Sequence, residues 1–253
     1  MENVIITVAG KGGVGKTSIS AAIVRQLVRD HPQARILAID ADPAVGLATA
    51  LDVQVNQTID DIRKAITASG EEDKTKKKAI ELLGESKFRI FDAMVEKDGF
   101  VFLAVGRPEA AGCYCSINSY LKAVISMVSG EFDYVVIDGE AGIEQVNRRV
   151  MENVTHLILV TDPSRKGTQV IRTIKQVADE LVMYKEIGVI INRLNDPALE
   201  QFVDTGEVPV LARIGDDSSL AMCDVQGQSV MELPDDSNLV RGVQQALNAM
   251  GIQ

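Results

Sequence analysis

The chain has 253 residues, 46% of them hydrophobic, and a formal net charge of −10 at pH 7. This length and composition are sufficient for a large buried core, and the negative charge disfavours non-specific binding to nucleic acids. The sequence lacks a run of about eighteen apolar residues and begins without the pattern of a signal peptide, so we expect a cytoplasmic protein with no membrane partner and no nucleic-acid partner.

Apolar runs predict the strands of a single α/β domain over residues 1–253. They occupy residues 4–9, 35–40, 100–105, 134–138, 156–161, 187–192 and 208–213. Their nearly continuous apolar character is typical of a mostly parallel sheet with helices on both faces. Helical patterns predict helices over 17–29, 116–129, 143–152, 166–183 and 238–249.

The segment near residues 57–88 differs from this alternation. It combines runs of charged residues with apolar residues at helical spacing, such as Ile59, Ile62 and Ile66. This pattern predicts one or two amphipathic helices inserted between strands. We interpret the charged run as a solvated face, and a docking surface for a client protein is the alternative.

A glycine-rich loop lies between the first predicted strand and the first predicted helix. Residues 9–18 contain the pattern G-x-x-x-x-G-K-[ST] of nucleoside triphosphatases, and a strand, a glycine turn and a helix N-terminus together form an anion site. The pattern predicts that Lys16 reaches the β- and γ-phosphates of ATP and that the Thr17 hydroxyl holds Mg²⁺. The loop residues expected to contact the nucleotide are Gly12, Gly13, Val14, Gly15, Lys16, Thr17 and Ser18.

Three aspartates lie at the carboxyl ends of predicted strands. Asp40 ends the second strand and Asp42 follows it, and Asp138 ends the apolar run over 134–138. Ligands of open α/β sheets bind outside these ends, and ATP hydrolysis needs carboxylates around Mg²⁺ and a group that orients the attacking water. The aspartates are therefore candidates for these tasks, with Asp138 holding Mg²⁺ through a water. The alternative is that Asp40 or Asp42 merely caps the following helix.

Residues 10–17, GKGGVGKT, resemble the deviant Walker A loop of the family that includes MinD, ParA, the nitrogenase iron protein and the Get/ArsA ATPases. In that family the extra lysine, here Lys11, reaches across a dimer interface to the nucleotide of the partner. The resemblance therefore implies an ATP-dependent homodimer in which Lys11 and Lys16 both take part in catalysis. A solvated lysine on an exposed loop is the alternative interpretation of Lys11.

The same resemblance assigns roles to further residues. The Asp-Pro-Ala unit at 42–44 resembles switch I of the Get/ArsA and iron-protein branches. It implies that Asp42 positions or activates the water and that Asp40 supports Mg²⁺ through a water. Gly142 resembles the switch II glycine whose N–H senses the γ-phosphate. Asn192 resembles the asparagine that reads the adenine edge, a task suited to an amide with both donor and acceptor, and an ordinary turn residue is the alternative.

Two cysteines, Cys113 and Cys115, occur in a loop near residues 112–116. In an extended segment their side chains point the same way, and a disulfide between them would be strained. One chain offers two thiolates where a structural zinc-type site takes four, and a symmetric dimer supplies that number. Thiolate sulfur suits Ni²⁺, Zn²⁺, Cu⁺ or an iron–sulfur cluster. The alternative is that Cys113 and Cys115 are small residues buried in the core. We interpret the third cysteine, Cys223, as a packing residue of this kind.

The loop, the aspartate segment and Cys-Tyr-Cys followed by Asn118-Ser119 look like the CooC/AcsF group of nickel-insertion accessory ATPases. The resemblance covers nearly the whole chain. It implies a homodimer that holds Ni²⁺ (or Zn²⁺) between Cys113 and Cys115 of both subunits. ATP binding would reshape the interface, and hydrolysis would release the metal to apo carbon monoxide dehydrogenase or apo acetyl-CoA synthase.

Two other functions are open at this point. An electron-transfer ATPase like the nitrogenase iron protein would hold an iron–sulfur cluster, although that family uses two cysteines far apart in sequence. A MinD- or ParA-like switch ATPase would bind a membrane or DNA and would have no nickel role. The last predicted helix, with Arg241 as its basic residue and Gly242 in its middle, makes a poor membrane anchor.

Overall fold

The computed structural model describes residues 3–42, 44–68, 89–106, 127–139, 154–181 and 184–252. The strands within them are β1 (Val4–Gly10), β2 (Ile36–Asp40), β3 (Val95–Lys97), β4 (Phe100–Ala104), β5 (Tyr134–Asp138), β6 (His156–Thr161), β7 (Glu186–Ile191) and β8 (Val210–Arg213). They form one sheet in the order β3-β4-β2-β5-β1-β6-β7-β8. Neighbouring strands are parallel except for the edge pair β3 and β4. The predicted, mostly parallel sheet is confirmed.

The α-helices that lie wholly within the same ranges are α1 (Lys16–Asp30), α2 (Gly46–Ala50), α3 (Ile59–Ala68), α4 (Arg165–Leu181), α5 (Ser218–Gln226) and α6 (Asn238–Ala249). Short 3₁₀ helices occupy Pro197–Phe202 and Val230–Glu232. The helices predicted over 17–29, 166–183 and 238–249 correspond to α1, α4 and α6. A helix also occurs in the segment near 57–88, as α3, while residues 69–88 lie outside the described residues. The same holds for all of the predicted helix 143–152 and for most of 116–129.

Alternate residues of the strands face two separate sets of helices. Ile6 and Val8 of β1 belong to a core cluster that includes residues of α1 and α6. Ile5 and Ala9 of the same strand belong to clusters on the other face, which include residues of α3 and α4. Helices therefore cover both faces of the sheet, and this explains why the strands are apolar at nearly every position. None of the helices in the described ranges combines the length and the apolar character that a membrane span requires.

Two short elements, α2 and β3, are not indicated by the hydrophobic pattern. The strand β3 pairs antiparallel with β4 through Val95, Glu96 and Lys97, at the edge of the sheet. The helix α2 has five residues and begins after Val45, which is left-handed with φ of 53°. Neither element has enough apolar positions for a periodicity to be read from the sequence.

The register of the sheet places the candidate site residues together at the carboxyl-terminal ends of the strands. Gly10 at the end of β1 lies opposite Val160 of β6. Asp40 at the end of β2 lies opposite Asp138 at the end of β5. Because these strands are parallel, the loops that follow them leave the sheet on the same side, as expected for ligand sites of open α/β folds.

Candidate nucleotide-binding site

The glycine-rich loop runs from the end of β1 to the N-terminus of α1. At Gly10, with φ of 151°, a Cβ atom would lie 2.2 Å from the Val160 carbonyl oxygen, so the loop passes too close to β6 for any other residue. Gly15, just before α1, is left-handed with φ of 91°. Among the described residues no side-chain hydrogen bond caps α1, and an uncapped helix N-terminus is suited to binding an anion.

Lys16 begins α1 and is 7% exposed. Its ammonium group donates a hydrogen bond to the Lys11 carbonyl oxygen at 3.3 Å, so it lies across the loop that precedes it. Thr17 and Ser18 follow in the same turn and are partly buried. This geometry gathers a buried cation, a hydroxyl and helix N–H groups in one turn, which is the chemistry that a triphosphate requires.

Asp138 lies fully buried at the end of β5, beneath α1. The Ser20 hydroxyl donates to its Oδ1 atom at 2.9 Å, while Oδ2 is buried and has no hydrogen-bond partner within the described residues. Burial raises the pKa of Asp138, and the hydroxyls of Thr17 and Ser20 act in the opposite direction. Sequence reasoning did not identify Ser20, although its position one turn after Lys16 on the same helix was available as a signal.

Asp40 lies fully buried at the end of β2, and its carboxylate organises the backbone that follows. It accepts hydrogen bonds from the N–H groups of Asp42 at 3.1 Å, Leu47 at 2.8 Å and Ala48 at 3.3 Å. Burial, followed by the charge of Asp138, raises the pKa of Asp40 to about 7, although these hydrogen bonds lower it. The side chain therefore caps the N-terminus of α2 and faces a second buried carboxylate, and its expected support of Mg²⁺ through a water stays a prediction.

Asp42 lies after β2 and is only partly buried. Its Oδ1 atom accepts a hydrogen bond from the Ala44 N–H at 2.9 Å. The side chain lies close enough to Asp138 to raise the pKa of that carboxyl group. An accessible carboxylate thus stands beside the buried pair, and its role in orienting water stays a prediction.

Lys11 does not point freely into solvent. Its ammonium group lies 3.2 Å from Oδ2 of Asp162 and 3.5 Å from the Ser164 hydroxyl. Both partners follow β6 and were not identified from the sequence, because only the pairing of β1 with β6 brings them beside the loop. The expected contact of Lys11 with a partner's nucleotide stays a prediction.

Asn192 follows β7 and contacts the glycine-rich loop from the side. Its amide nitrogen donates to the Val14 carbonyl oxygen at 2.8 Å, and its Oδ1 accepts from the Arg193 N–H at 3.0 Å. A Cβ atom on Gly15 would lie 2.5 Å from the same amide nitrogen. Asn192 therefore supports the loop in this structure, and its predicted contact with adenine stays a prediction.

Three of the predicted site residues, Gly142, Cys113 and Cys115, lie outside the described residues. Cys223 is buried, and its thiol donates to the Gln228 carbonyl oxygen at 3.0 Å, which agrees with a packing role. In the ranges that the structure covers, no group of three or more His, Cys, Asp or Glu side chains is arranged to hold a metal ion. A site in which the phosphates supply part of the Mg²⁺ coordination does not need such a group.

The sequence matches the CobQ/CobB/MinD/ParA nucleotide binding domain family over residues 5–230. The chain belongs to this family. Family membership, together with the P-loop fold, confirms the prediction of an ATPase.

Individual relatives of the chain carry several different names. An uncharacterized ATP-binding protein of Methanocaldococcus jannaschii is 33% identical over 246 residues, or 95% of this chain and 96% of that protein. The carbon monoxide dehydrogenase accessory protein CooC of Rhodospirillum rubrum is 29% identical over 90% of this chain and 89% of its own length. The structure of MinD from Pyrococcus horikoshii, complexed with Mg-ADP, has a TM-score of 0.71 and 20% identity, covering 98% of this chain and 96% of the other. The first two agree with this branch of P-loop ATPases, and the third shows the fold.

Proposed function

We propose that the protein is a homodimeric ATPase whose ATP cycle delivers Ni²⁺ to apo carbon monoxide dehydrogenase or apo acetyl-CoA synthase. The observation that carries this proposal is the 29% identity to the accessory protein CooC over 90% of the chain, combined with the Cys113-Tyr114-Cys115 motif. We further propose that residues 1–253 form one domain, in which the insertion near 57–88 and the loop near 112–116 are local additions.

The proposed binding of ATP is supported by the chemistry of the glycine-rich loop. The N–H groups of residues 12–18 would surround the phosphates, and the Lys16 ammonium would move from the Lys11 carbonyl oxygen to the β- and γ-phosphates. Asn192 would hold the loop in place through Val14. The Lys16 ammonium group is buried within the loop, beside the position that the phosphates would occupy.

The buried carboxylates fit Mg²⁺. The Oδ2 atom of Asp138 is buried and lacks a hydrogen-bond partner among the described residues, and a buried oxygen of this kind is costly unless a ligand satisfies it. The Thr17 hydroxyl and the carboxylate of Asp40 would complete the protein's share, the aspartates acting through waters. When bound, Mg²⁺ supplies charge neutralisation for the β- and γ-phosphate oxygens.

Hydrolysis would depend on Asp42. Its carboxylate lies after β2, is partly exposed, and accepts from the Ala44 N–H through Oδ1. Within the described part of the chain, Oδ2 is therefore the oxygen that would face a water. It would accept a hydrogen bond from the attacking water and orient that water towards the γ-phosphate. Gly142 would contact the γ-phosphate through its N–H and so couple hydrolysis to the conformation of the segment after β5.

The proposed binding of Ni²⁺ rests on the number of thiolates that a dimer supplies. Cys113 and Cys115 supply two thiolates per chain, and two chains related by a two-fold axis supply four. A site shared in this way exists only when the subunits meet, so metal affinity would change with the nucleotide state. Zn²⁺ suits the same ligands, and the experiment below therefore includes it.

A titration of reduced, metal-free protein with Ni²⁺ under anaerobic conditions tests the proposal. We expect one Ni²⁺ per two chains, with thiolate-to-nickel charge-transfer absorption that a Cys113→Ser/Cys115→Ser variant lacks and that Zn²⁺ competes away. Cys223→Ser is the matched control, because that thiol is buried against the Gln228 carbonyl oxygen and should leave binding unchanged. Absence of thiol-dependent binding with ADP, with ATP and without nucleotide would overturn the nickel function.

A switch ATPase of the MinD or ParA kind, without a nickel role, is the second candidate. It is favoured by the fold, which matches MinD of Pyrococcus horikoshii with a TM-score of 0.71. Such a protein would sediment with anionic lipid vesicles or with DNA in the presence of ATP and not with ADP. The net charge of −10 opposes both kinds of binding, so we expect no ATP-dependent sedimentation, and a positive result would favour this candidate.

A further inference from the structure

We propose that Asp162 and Ser164 form a dock that holds Lys11 within its own subunit and opposes its reach to a partner's nucleotide. The Lys11 ammonium lies 3.2 Å from the Asp162 carboxylate and 3.5 Å from the Ser164 hydroxyl. The inference rests on the proposed function, in which Lys11 acts across the dimer interface, and adds a competing position for the same side chain.

The sheet register places this dock beside the loop. The strands β1 and β6 are parallel neighbours, and Gly10 lies opposite Val160. Lys11 and Asp162 are therefore the first residues after two adjacent parallel strands, and both lie at the carboxyl-terminal end of the sheet. The meeting of the two side chains is thus built into the sheet and does not depend on the conformation of a long loop.

Hydrogen bonds within residues 162–167 hold the dock in place independently of Lys11. The Ser164 N–H donates to Oδ1 of Asp162 at 3.2 Å, and the Ser164 hydroxyl donates to the same oxygen. The Ser164 hydroxyl oxygen also accepts from the Gly167 N–H at 3.1 Å, which caps the N-terminus of α4. With Oδ1 occupied in this way, Oδ2 of Asp162 is the oxygen that faces Lys11.

Gly167 makes room for the carboxylate. A Cβ atom at this position would lie 2.5 Å from Oδ1 of Asp162 and 2.4 Å from the Thr161 hydroxyl. The first turn of α4 therefore approaches the dock as closely as backbone alone permits. A negative charge at a helix N-terminus is stabilised by the helix dipole.

The charges support the same conclusion. Although burial opposes it, hydrogen bonds from Ser164 and Lys11 hold the pKa of Asp162 below its usual value, so the carboxylate is ionised at neutral pH. The side chains of Lys11 and Asp162 are 32% and 20% exposed, so the ion pair is partly shielded from water. Reaching a phosphate on another subunit would require the Lys11 ammonium group to leave this carboxylate, and the dock would in that way compete with dimer closure.

The test is the ATP concentration that gives half-maximal dimerisation, measured by analytical ultracentrifugation for wild type and for Asp162→Asn. Asparagine keeps the size and the Oδ1 acceptor but removes the charge that holds Lys11. We expect the midpoint to fall about two- to fivefold, the range that corresponds to a partly exposed ion pair. Asp179→Asn, which removes the partner of Lys175 farther along α4, is the matched control. An unchanged or higher midpoint for Asp162→Asn would overturn the dock.

A second measurement, made without nucleotide, separates this inference from the proposed function. The folding equilibrium of Lys11→Met, Asp162→Asn and the double variant is followed in urea. The dock predicts a coupling of about two- to fivefold between the two changes, and additive effects contradict it. If wild type fails to dimerise with ATP while this coupling is present, the homodimer proposal fails and the intrasubunit dock stands.

Discussion

Lys16 is a nearly buried cation whose ammonium group crosses the glycine-rich loop to the Lys11 carbonyl oxygen. Neutralising charge that develops on a transferred phosphoryl group is the main task of the protein in phosphoryl transfer. We therefore expect Lys16→Ala to lower the rate of phosphate release by at least about 100-fold at saturating ATP. Lys97→Ala, at the far edge of the sheet, is the control, and wild-type turnover in Lys16→Ala would remove this residue from the site.

Asp42 is separable from the residues that bind the nucleotide. Its carboxylate is partly exposed and accepts a hydrogen bond from the Ala44 N–H at 2.9 Å. Asp42→Asn keeps this acceptor and loses basicity, so we expect ATP affinity to persist while hydrolysis slows by about 100-fold or more and ATP-bound dimer accumulates. Equilibrium dialysis and phosphate release measure the two effects. Asp196→Asn makes the same change in a similar turn, where Oδ1 accepts from the Ala198 N–H, and normal hydrolysis by Asp42→Asn would refute the role.

Asp40 predicts a specific pH dependence for the protein without Mg²⁺ or nucleotide. Its pKa rises from 3.8 to about 7 in the folded state, so between these values the native protein binds a proton that the unfolded chain has released. Stability should therefore fall as pH rises from about 4 to about 7, by at most about 1.4 kcal/mol per pH unit for this group. Urea unfolding at several pH values in a chelator should show a shallower slope for Asp40→Asn. If the wild type and Asp40→Asn have the same slope, Asp40 does not change its protonation in this pH range.

At the scale of elements, the contact of α6 with the end of β8 requires a glycine. A Cβ atom on Gly242 would lie 2.4 Å from Cγ1 of Ile214. Replacement of a helical glycine by alanine ordinarily stabilises a helix by up to about 1 kcal/mol. Here we expect Gly242→Ala to destabilise the protein by about 1–3 kcal/mol, because overpacking outweighs helix propensity. Urea unfolding checks the sign, with Gly130→Ala as the control, since nothing lies within 4 Å of a Cβ there.

The elements that sequence predicts best are those that local pattern determines. The central strands have long apolar runs because both faces are covered by helices, and this pattern does not depend on knowing the neighbours. In contrast, α2 begins where the Asp40 carboxylate accepts from the N–H groups of Leu47 and Ala48. The Asp40 side chain lies several residues before the first residue of α2, and no local capping motif describes this arrangement. The helix could therefore not be predicted from the sequence.

The site divides in the same way. Lys16 and Thr17 follow from a contiguous motif, and Asp138 follows from a strand that ends in a carboxylate. The dock for Lys11 could not be predicted, because Asp162 is distant in sequence and becomes a neighbour only through the pairing of β1 with β6. The hydrogen bond from Asn192 to Val14 likewise depends on the position of β7 beside β6.

At the scale of the whole molecule, net charge opposes the proposed homodimer. Each chain carries −10 at pH 7, and bound ATP adds further negative charge at the edge where two copies would meet. Association at this edge therefore needs cations that face the partner. Lys11 is such a cation, provided that it leaves Asp162, and the energy of its contact with a partner's phosphates would then link ATP binding to association.

We therefore expect Lys11→Ala to retain ATP binding through Lys16 and to lose ATP-dependent dimerisation. Sedimentation velocity with ATP, under conditions that prevent hydrolysis, should give a dimer for wild type and a monomer for Lys11→Ala. Lys97→Ala removes the same charge from an exposed ion pair with Asp52 and should dimerise normally, which separates a specific contact from an effect of net charge. Because charge–charge contacts at the molecular surface weaken with salt, raising ionic strength should reduce wild-type dimerisation as well. A dimer of Lys11→Ala that forms at the wild-type ATP concentration would show that association does not use this lysine, and the family's characteristic residue would then act only within its own subunit.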